Sequence, residues 1–472
     1  MHAEVRAPAA LLALTAAAYL ASLLGPFQFD DYAVVATDRA AQDWAAWWET
    51  LAQRIRPLLK ASFVATHQLG GWLGHPTLGH HLGNLLVHLA AVALAWRLAL
   101  AMADSFRMPG DSARHAALGC AALFALHPLA TESVAYISGR SVALGTLFAL
   151  AALVAQLQAG RGEMDRARRH AWQGAALAAF AAALLSRETM IALPLLAALL
   201  EWSRGDSPGT PYTAARMRLA LRRTAGLWLL AAAAAAAMIL HRRYAPLLEL
   251  SALIAQDRLG SPSLLFALEH FATRLALLAP PNIDPAFAPE RIGASHRVLA
   301  ALAIAPALAL AWRGRHSRPW WILGGAWVVA TLVPLYLVPI RHDGVAERHF
   351  YPALWGAGFA LACEIAVRLR PVPAAATAGV LAIVLATATA MRSADYASEV
   401  ALWEATARQP GAGPRAFNNL GVAYLGERRW EEASRSFERA LALDPGYALA
   451  RANLERADAG RRTGDPLAEP EI

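Results

Sequence analysis

Lysine is almost absent from this chain. Lys60 is the single example in 472 residues, so the formal charge of +8 is carried by arginine. With alanine abundant as well, this bias reads as genome composition. A nucleic-acid surface needs a basic face interleaved with aromatics. The arginines here fall instead in short loops between apolar runs, which excludes nucleic acid as a partner. Charge of either sign is also scarce, at 17% of residues against about 25% in an ordinary soluble domain. The two cysteines, Cys120 and Cys363, lie inside apolar stretches, which argues against a disulfide framework. There is no His/Cys set at metal-ligand spacing, no phosphate-cradling glycine loop and no Ser-His-Asp order.

What the chain does have is long apolar sequence, 57% hydrophobic in all. A membrane span needs about 20 apolar residues. Candidate spans are 8–25, 78–102, 115–137, 139–158, 171–186, 188–202, 224–240, 297–312, 319–340, 350–368 and 372–391. No signal-peptidase site follows the run from Ala9 to Leu24, so it reads as an anchor that stays. Every second connection is basic: Arg107 and Arg114; Arg161, Arg166, Arg168 and Arg169; Arg204, Arg216, Arg218, Arg222 and Arg223; Arg313, Arg315 and Arg318; Arg368 and Arg370. Basic short loops stay in the cytoplasm. The expected protein is therefore a multi-pass inner-membrane protein with a cytoplasmic N-terminus. Loops 26–76, 241–296 and 341–349 and the C-terminal tail lie outside. Leu264–Leu278 is apolar enough to span, but it carries Glu269, His270 and Arg274 and would reverse the arginine pattern. It reads as an interfacial or re-entrant helix. The fold class is all-α: a polytopic bundle of about eleven spans over residues 1–392, followed by a second domain at 393–472.

That second domain carries Phe417, Leu420, Gly421, Tyr424, Ala433, Phe437, Ala440 and Pro445 at tetratricopeptide spacing, giving one full α-hairpin repeat at about 414–447. Gly421 and Ala433 are small where the two helices cross. Tyr424 and Phe437 fill the space between them, and Pro445 ends the second helix. Trp403–Ala407 reads as the last helix of a degenerate repeat and Tyr447–Ala459 as a capping helix. The domain is either a folded cap or a shallow peptide-binding surface.

Unusual polar residues collect at the outer ends of the spans. Asp30 and Asp31 open the first outer loop, where adjacent carboxylates suit a general base, a ligand for a divalent metal or a binder of sugar hydroxyls. A solvated helix cap is the plainer reading. Arg56-Pro57-Leu58 opens an amphipathic segment ending at Gly70-Gly71, and arginine forks onto phosphate oxygens. His81, Asn84 and His88 share one helix face; for Asn84 and His88, hydrogen bonding between helices is the plainer account. His127, Glu132, Arg140, Arg187, Glu188, Glu347 and Arg348 complete the outer set. Arg187 and Glu188 can equally be an ion pair at a helix end.

These residues stand within Phe29-Asp30-Asp31, Arg56-Pro57-Leu58, His81-Leu82-Gly83-Asn84-Leu85-Leu86-Val87-His88, Leu126-His127-Pro128 through Thr131-Glu132-Ser133-Val134, Gly139-Arg140 and Leu185-Ser186-Arg187-Glu188-Thr189. Asn282-Ile283-Asp284 and Ala346-Glu347-Arg348 with Tyr351-Pro352 follow, and then the repeat. In this order they resemble the transmembrane and tetratricopeptide-repeat (TMTC-type) proteins of the GT-C superfamily of membrane glycosyltransferases. The resemblance implies a GT-C fold and transfer of a sugar, mannose being one candidate, from a polyprenyl-phosphate donor to an acceptor hydroxyl on the non-cytoplasmic face. The acceptor is a protein Ser or Thr or a glycan. It implies Asp30 or Asp31 as the base and Arg56, Arg140, Arg187 or Arg348 as holders of the lipid phosphate. His81, His127, Glu132, Glu188 and Glu347 become further donor-site candidates. The chain departs from the pattern at Arg187, where lysine is expected, at His80, where an aromatic is expected, and at Asp284-Pro285. Two other readings compete. A membrane-anchored scaffold would leave the outer charges dispensable, and a transporter of lipid-linked saccharides would place charges near the midplane in repeated halves.

Overall fold

The computed structural model describes residues 2–160, 164–204, 212–241, 263–284, 309, 311–337 and 346–463. Most of the expected span 297–312 and most of loop 241–296 lie outside them. All regular structure among the described residues is helical, as expected of sequence rich in alanine and leucine. The bundle comprises α1 (His2–Ala18), α2 (Trp44–Thr50), α3 (Pro57–Leu73), α4 (Leu78–Ser105), α5 (Gly110–Leu126), α6 (Thr131–Val134), α7 (Arg140–Ala159), α8 (Arg166–Ser186), α9 (Leu193–Ser203), α10 (Ala214–Arg223), α11 (Ala225–Leu240), α12 (Ser263–Leu275), α13 (Pro319–Leu337), α14 (Ala353–Arg368) and α15 (Pro371–Asp395).

Three of these stretches are long and apolar enough to cross a bilayer: Leu78–Ser105, Ile137–Ala159 and Val372–Asp395. Two bent pairs raise the number to five among the described residues. The expected single span 115–137 is one of those pairs, with α5 and Pro128–Val134 meeting at 54°. Pro128 supplies no N–H and blocks helix continuation. His127 Nδ1 accepts from Leu129 N at 3.2 Å instead. The expected span 188–202 likewise opens as a 3-10 turn, Glu188–Ala192, before α9. Val372, Val380, Ile383 and Met391 of α15 are exposed, as are Trp72, Leu86 and Leu240. Apolar surface on this scale belongs against lipid; the chain is a multi-pass membrane protein.

Helices in a bilayer gain little from burying apolar surface against each other, so close packing of small residues holds them together. Ala91, Ala95, Ala99 and Ala103 form a fully buried stripe on α4, with Ala113, Ala117 and Ala121 of α5 buried in the same core. Cys120 and Cys363 are free thiols in this core. The segment expected to end at Gly70-Gly71 continues to Leu73, where Gly74 closes α3 with φ of 70°. Gly70 is instead where α4 crosses: a Cβ on Gly79 would lie 2.4 Å from Gly70 N and 2.2 Å from Thr66 O. Ser263–Leu275 is 13 residues long, too short for a crossing, and buries Ala267 and Phe271 in the core.

The C-terminal domain comprises α16 (Glu399–Ala407), α17 (Pro414–Gly426), α18 (Trp430–Leu443) and α19 (Ala448–Thr463). It has the expected repeat packing. Leu420, Tyr424, Ala433, Phe437 and Ala440 are buried, and α18 stops before Pro445. A Cβ on Gly421 would sit 2.5 Å from the Phe437 ring.

The α3–α4 crossing yields a paired prediction. Gly79→Ala forces the two backbones apart and should destabilise the protein by about 3 kcal/mol. Gly71→Ala, on the partner helix α3 with nothing within 4 Å of its Cβ, should be neutral or slightly stabilising. Thermal unfolding of both variants in detergent measures the contrast.

Candidate active site

The site is organised by the turn Tyr136–Arg140 at the start of α7. Gly139 lets that turn lie flat, because a Cβ there would fall 2.1 Å from Glu132 O. Arg140 is then buried among α3 and α4. Its Nε donates to Asn84 Oδ1 at 2.5 Å, Nη1 to Ser62 O at 2.9 Å and Thr66 Oγ1 at 2.8 Å, and Nη2 to His80 O at 2.6 Å. The Phe63 ring packs on the guanidinium at 4.6 Å. This candidate phosphate holder is therefore enclosed by neutral acceptors that tie the start of α7 to α3 and α4. Asn84 also donates to Val134 O and Tyr136 O at 3.0 Å. His88 bridges Tyr351 Oη at 2.7 Å and Ala125 O at 3.0 Å. Both carry out the inter-element bonding of the plainer reading.

The same turn divides the two aspartates. Asp31 is buried, and its Oδ1 accepts from Ser138 N at 2.7 Å and Ser138 Oγ at 2.5 Å. Its Oδ2 accepts from Gln28 N at 3.2 Å. Burial pushes the Asp31 carboxyl up to about 7; the Ser138 and Gln28 donors pull it back, and the neighbouring Asp30 adds to the rise. Asp30 is half-buried, and its backbone N donates to Tyr136 Oη at 2.9 Å. No hydrogen bond reaches the Asp30 carboxylate among the described residues. Phe29 precedes it with φ of 47°, uncommon for a bulky residue, and marks the turn that presents Asp30. His81 steadies the entry to this loop, its Nε2 bonding to Gly25 O at 3.1 Å.

Tyr136 connects the aspartates to the remaining outer charges. Arg348 lies over its ring at 5.9 Å. Glu132 accepts from Arg348 N at 2.8 Å and pairs with its guanidinium, both side chains being buried. Next to it, Glu347 Oε1 accepts from Asn282 N at 2.7 Å and lies 3.5 Å from His270 Nε2 and Arg274 Nε.

A second group is tied to the first turn of α7 through Ser141. Arg187 Nη1 donates to Ser141 Oγ at 2.8 Å and Nε to Thr189 Oγ1 at 3.2 Å. Glu188 receives Arg56 through both carboxylate oxygens, Nε to Oε2 at 2.7 Å. Arg187 also lines an apolar cleft with Val142, Leu150, Met190, Leu196 and Trp327. His127, beyond capping its own turn, bonds to Leu275 O at 3.2 Å.

Sequence reasoning missed Tyr136, Ser138 and Gln28, the groups that set Asp30 apart from Asp31. It also missed Lys60, which pairs with Asp38 at 2.7 Å beside Arg54. Ser138 carries a faint signal, a lone hydroxyl just before Gly139-Arg140. The divalent ion considered for the aspartate pair does not fit. The Asp31 oxygens face hydrogen-bond donors, and the described residues hold no cluster of three or more His, Cys, Asp or Glu.

The comparisons with known proteins agree with the resemblance carried by the motifs. Residues 414–447 match the tetratricopeptide repeat family. Protein O-mannosyl-transferase Tmtc2 of Drosophila melanogaster is 30% identical over 204 residues, covering 40% of this chain and 21% of its own length. Protein O-mannosyl-transferase F38B6.6 of Caenorhabditis elegans is 29% identical over 158 residues, 30% of this chain and 22% of its own. Protein O-mannosyl-transferase TMTC2 of Mus musculus is 31% identical over 163 residues, 31% and 18% respectively. The matched stretch thus spans about a fifth of these curated relatives. Among solved structures, ArnT from Cupriavidus metallidurans bound to undecaprenyl phosphate aligns over 96% of this chain and 77% of its own, at 17% identity and a TM-score of 0.40.

The Asp31 environment predicts a pH effect. Its carboxyl is raised from 3.8 to about 7 in the folded protein. A group shifted upwards favours folding when protonated; the contribution is complete below 3.8 and is lost as pH rises through 7. Thermal midpoints measured across this window should therefore fall more in the wild type than in Asp31→Asn.

Proposed function

We propose that this protein is a GT-C-type membrane glycosyltransferase. It takes a sugar, mannose in the simplest case, from a polyprenyl-phosphate donor to the hydroxyl of a protein Ser or Thr on the non-cytoplasmic face. The arginine-rich connections orient the chain with its N-terminus inside and loop 26–76, together with the repeat domain, outside. Sequence similarity to three protein O-mannosyl-transferases supports the sugar and the acceptor class.

One observation supports the reading: the start of α7 bonds both to the aspartate pair and to an arginine at an apolar cleft. Ser138 fixes Asp31 beside Asp30, and Ser141 fixes Arg187 at an apolar cleft. In the reaction the acceptor oxygen attacks the anomeric carbon as the bond from that carbon to the phosphate oxygen breaks. Asp30 takes the hydroxyl proton and the polyprenyl phosphate leaves with the bonding electrons, so the anomeric configuration inverts. A leaving phosphate needs its developing charge stabilised. Arg187 serves that role best, with the prenyl chain along Leu150 and Leu196 of the cleft. Arg56 and Arg348 shape the site through Glu188 and Glu132. Asp31 keeps the Asp30 loop in register.

The scaffold alternative loses ground because the repeat domain is bonded into the loop that bears Asp30. Gln28 Nε2 donates to Tyr396 O at 2.8 Å, Phe29 packs on Trp403 at 5.7 Å, and Arg415 lies over the Phe29 ring at 5.8 Å.

Transfer from polyprenyl-phosphate mannose to a Ser/Thr peptide in membranes tests the assignment. Asp30→Asn should lose activity by about 100-fold or more. Asp31→Asn should keep a larger share, with lowered thermal stability. Arg187→Ala should chiefly lower kcat, by about 100-fold. Full activity of Asp30→Asn would remove the proposed base.

A further inference from the structure

The two longest helices of the site run on to a second polar cavity at their far ends. It lies between the C-terminal halves of α4 and α7 and is lined by Trp96, Leu100, Val154 and Leu157 together with Arg97, Asp104, Ser105, Gln158 and Arg204. Sixteen residues of α4 separate His81 from Arg97, which at 1.5 Å per residue is about 24 Å. The hydrocarbon core of a bilayer is about 30 Å thick. The cavity is therefore at the level of the opposite leaflet's headgroups, remote from Asp30.

Its charges are arranged for a ligand. Arg97 is exposed, and among the described residues it has neither a hydrogen bond nor an ion pair. It lies eight residues from the end of α4, about 12 Å inside the helix terminus. An arginine at that depth meets water or phosphate only by extending towards the interface. On the facing side, Arg204 is held by Glu201 at 3.2 Å and reaches Leu157 O at 3.5 Å through the same Nη1. Its Nε and Nη2 make no hydrogen bond among the described residues. Gly160 creates the room, since a Cβ there would fall 2.6 Å from Arg204 Nη1. The buried Glu201 is itself shared with Arg223 at 3.1 Å, so it does not neutralise Arg204 alone. Asp104 adds one carboxylate to the rim, beside Ser105 and Gln158.

We propose that this cavity binds a phosphodiester membrane lipid in the leaflet opposite the transfer site. The phosphate lies between Arg97 and Arg204, and Asp104 and Ser105 accept from an amine or hydroxyl of the headgroup. Leu100, Val154 and Leu157 line the start of an acyl chain, with Trp96 at the interface where such rings gather. Two guanidiniums suit a phosphate, and the single carboxylate suits a headgroup that carries donors of its own. The site stands apart from the transfer reaction and does not depend on it.

Native mass spectrometry of the full chain in detergent tests this, with phosphatidylglycerol, phosphatidylethanolamine, diacylglycerol and inorganic phosphate as probes. The expected result is one retained phosphodiester lipid per chain and no retention of diacylglycerol. Arg97→Gln should weaken binding about tenfold, Arg97→Lys by only about threefold, and the exposed Arg114→Gln not at all. Equal binding by wild type and Arg97→Gln would reduce Arg97 to a side chain reaching for water and overturn the proposal. So would retention of diacylglycerol, or displacement of the lipid by inorganic phosphate. Arg97 lies outside the transfer machinery, so sugar transfer by Arg97→Gln, assayed in parallel, separates failure of this proposal from failure of the glycosyltransferase reading.

Discussion

A buried guanidinium without a carboxylate partner among the described residues holds together the end of the bundle that carries Asp30. Arg140 is enclosed at the start of α7, and neutral oxygens from α3 and α4 satisfy its donors. An isolated buried charge is costly, and it is tolerated only where every donor has an acceptor. That demand fixes α3, α4 and α7 in one relative position. It also explains the glycines around it, since Gly79, Gly83 and Gly139 all stand where a Cβ would meet a neighbouring backbone or side chain within 2.5 Å.

Once α7 is fixed, its first residues distribute the chemistry. Ser138 bonds to Asp31 and Ser141, three residues on, accepts from Arg187. Asp31 becomes a buried anchor, which leaves Asp30 as the more open carboxylate. Glu132 with Arg348, and Glu188 with Arg56, compensate charge that the low-dielectric interior would otherwise expel. The repeat domain closes on the same loop through Tyr396, Trp403 and Arg415, whose guanidinium lies over the Phe29 ring. Its tie to the bundle is polar and aromatic, at the place where the proposed acceptor must arrive.

The far end of α4 and α7 treats charge differently. Arg97 faces a cavity without a partner among the described residues, and Arg204 is only part-compensated. Near Asp30 each buried charge is answered by protein. At the far end of α4 the exposed Arg97 is left for a ligand to answer.

The amino-acid pattern by itself determined the all-helical class, the apolar runs and the repeat, because these are local. Hydrophobic length, small residues at helix crossings and the eight consensus positions of the repeat act within one or two turns of chain. It also named most of the outer charges, since a charged group beside an apolar run is conspicuous. It did not reveal that 115–137 bends, because the weight of Pro128 depended on His127 finding a new partner in Leu129 N. Nor did it separate Asp30 from Asp31, or show that Arg140 is enclosed. Those outcomes depend on Tyr136, Ser138, Ser62 and Thr66, ordinary residues that matter only because distant helices meet there. Adjacent residues of one type look equivalent along a chain; tertiary contacts made them different, by burying one carboxylate among donors and leaving the other open.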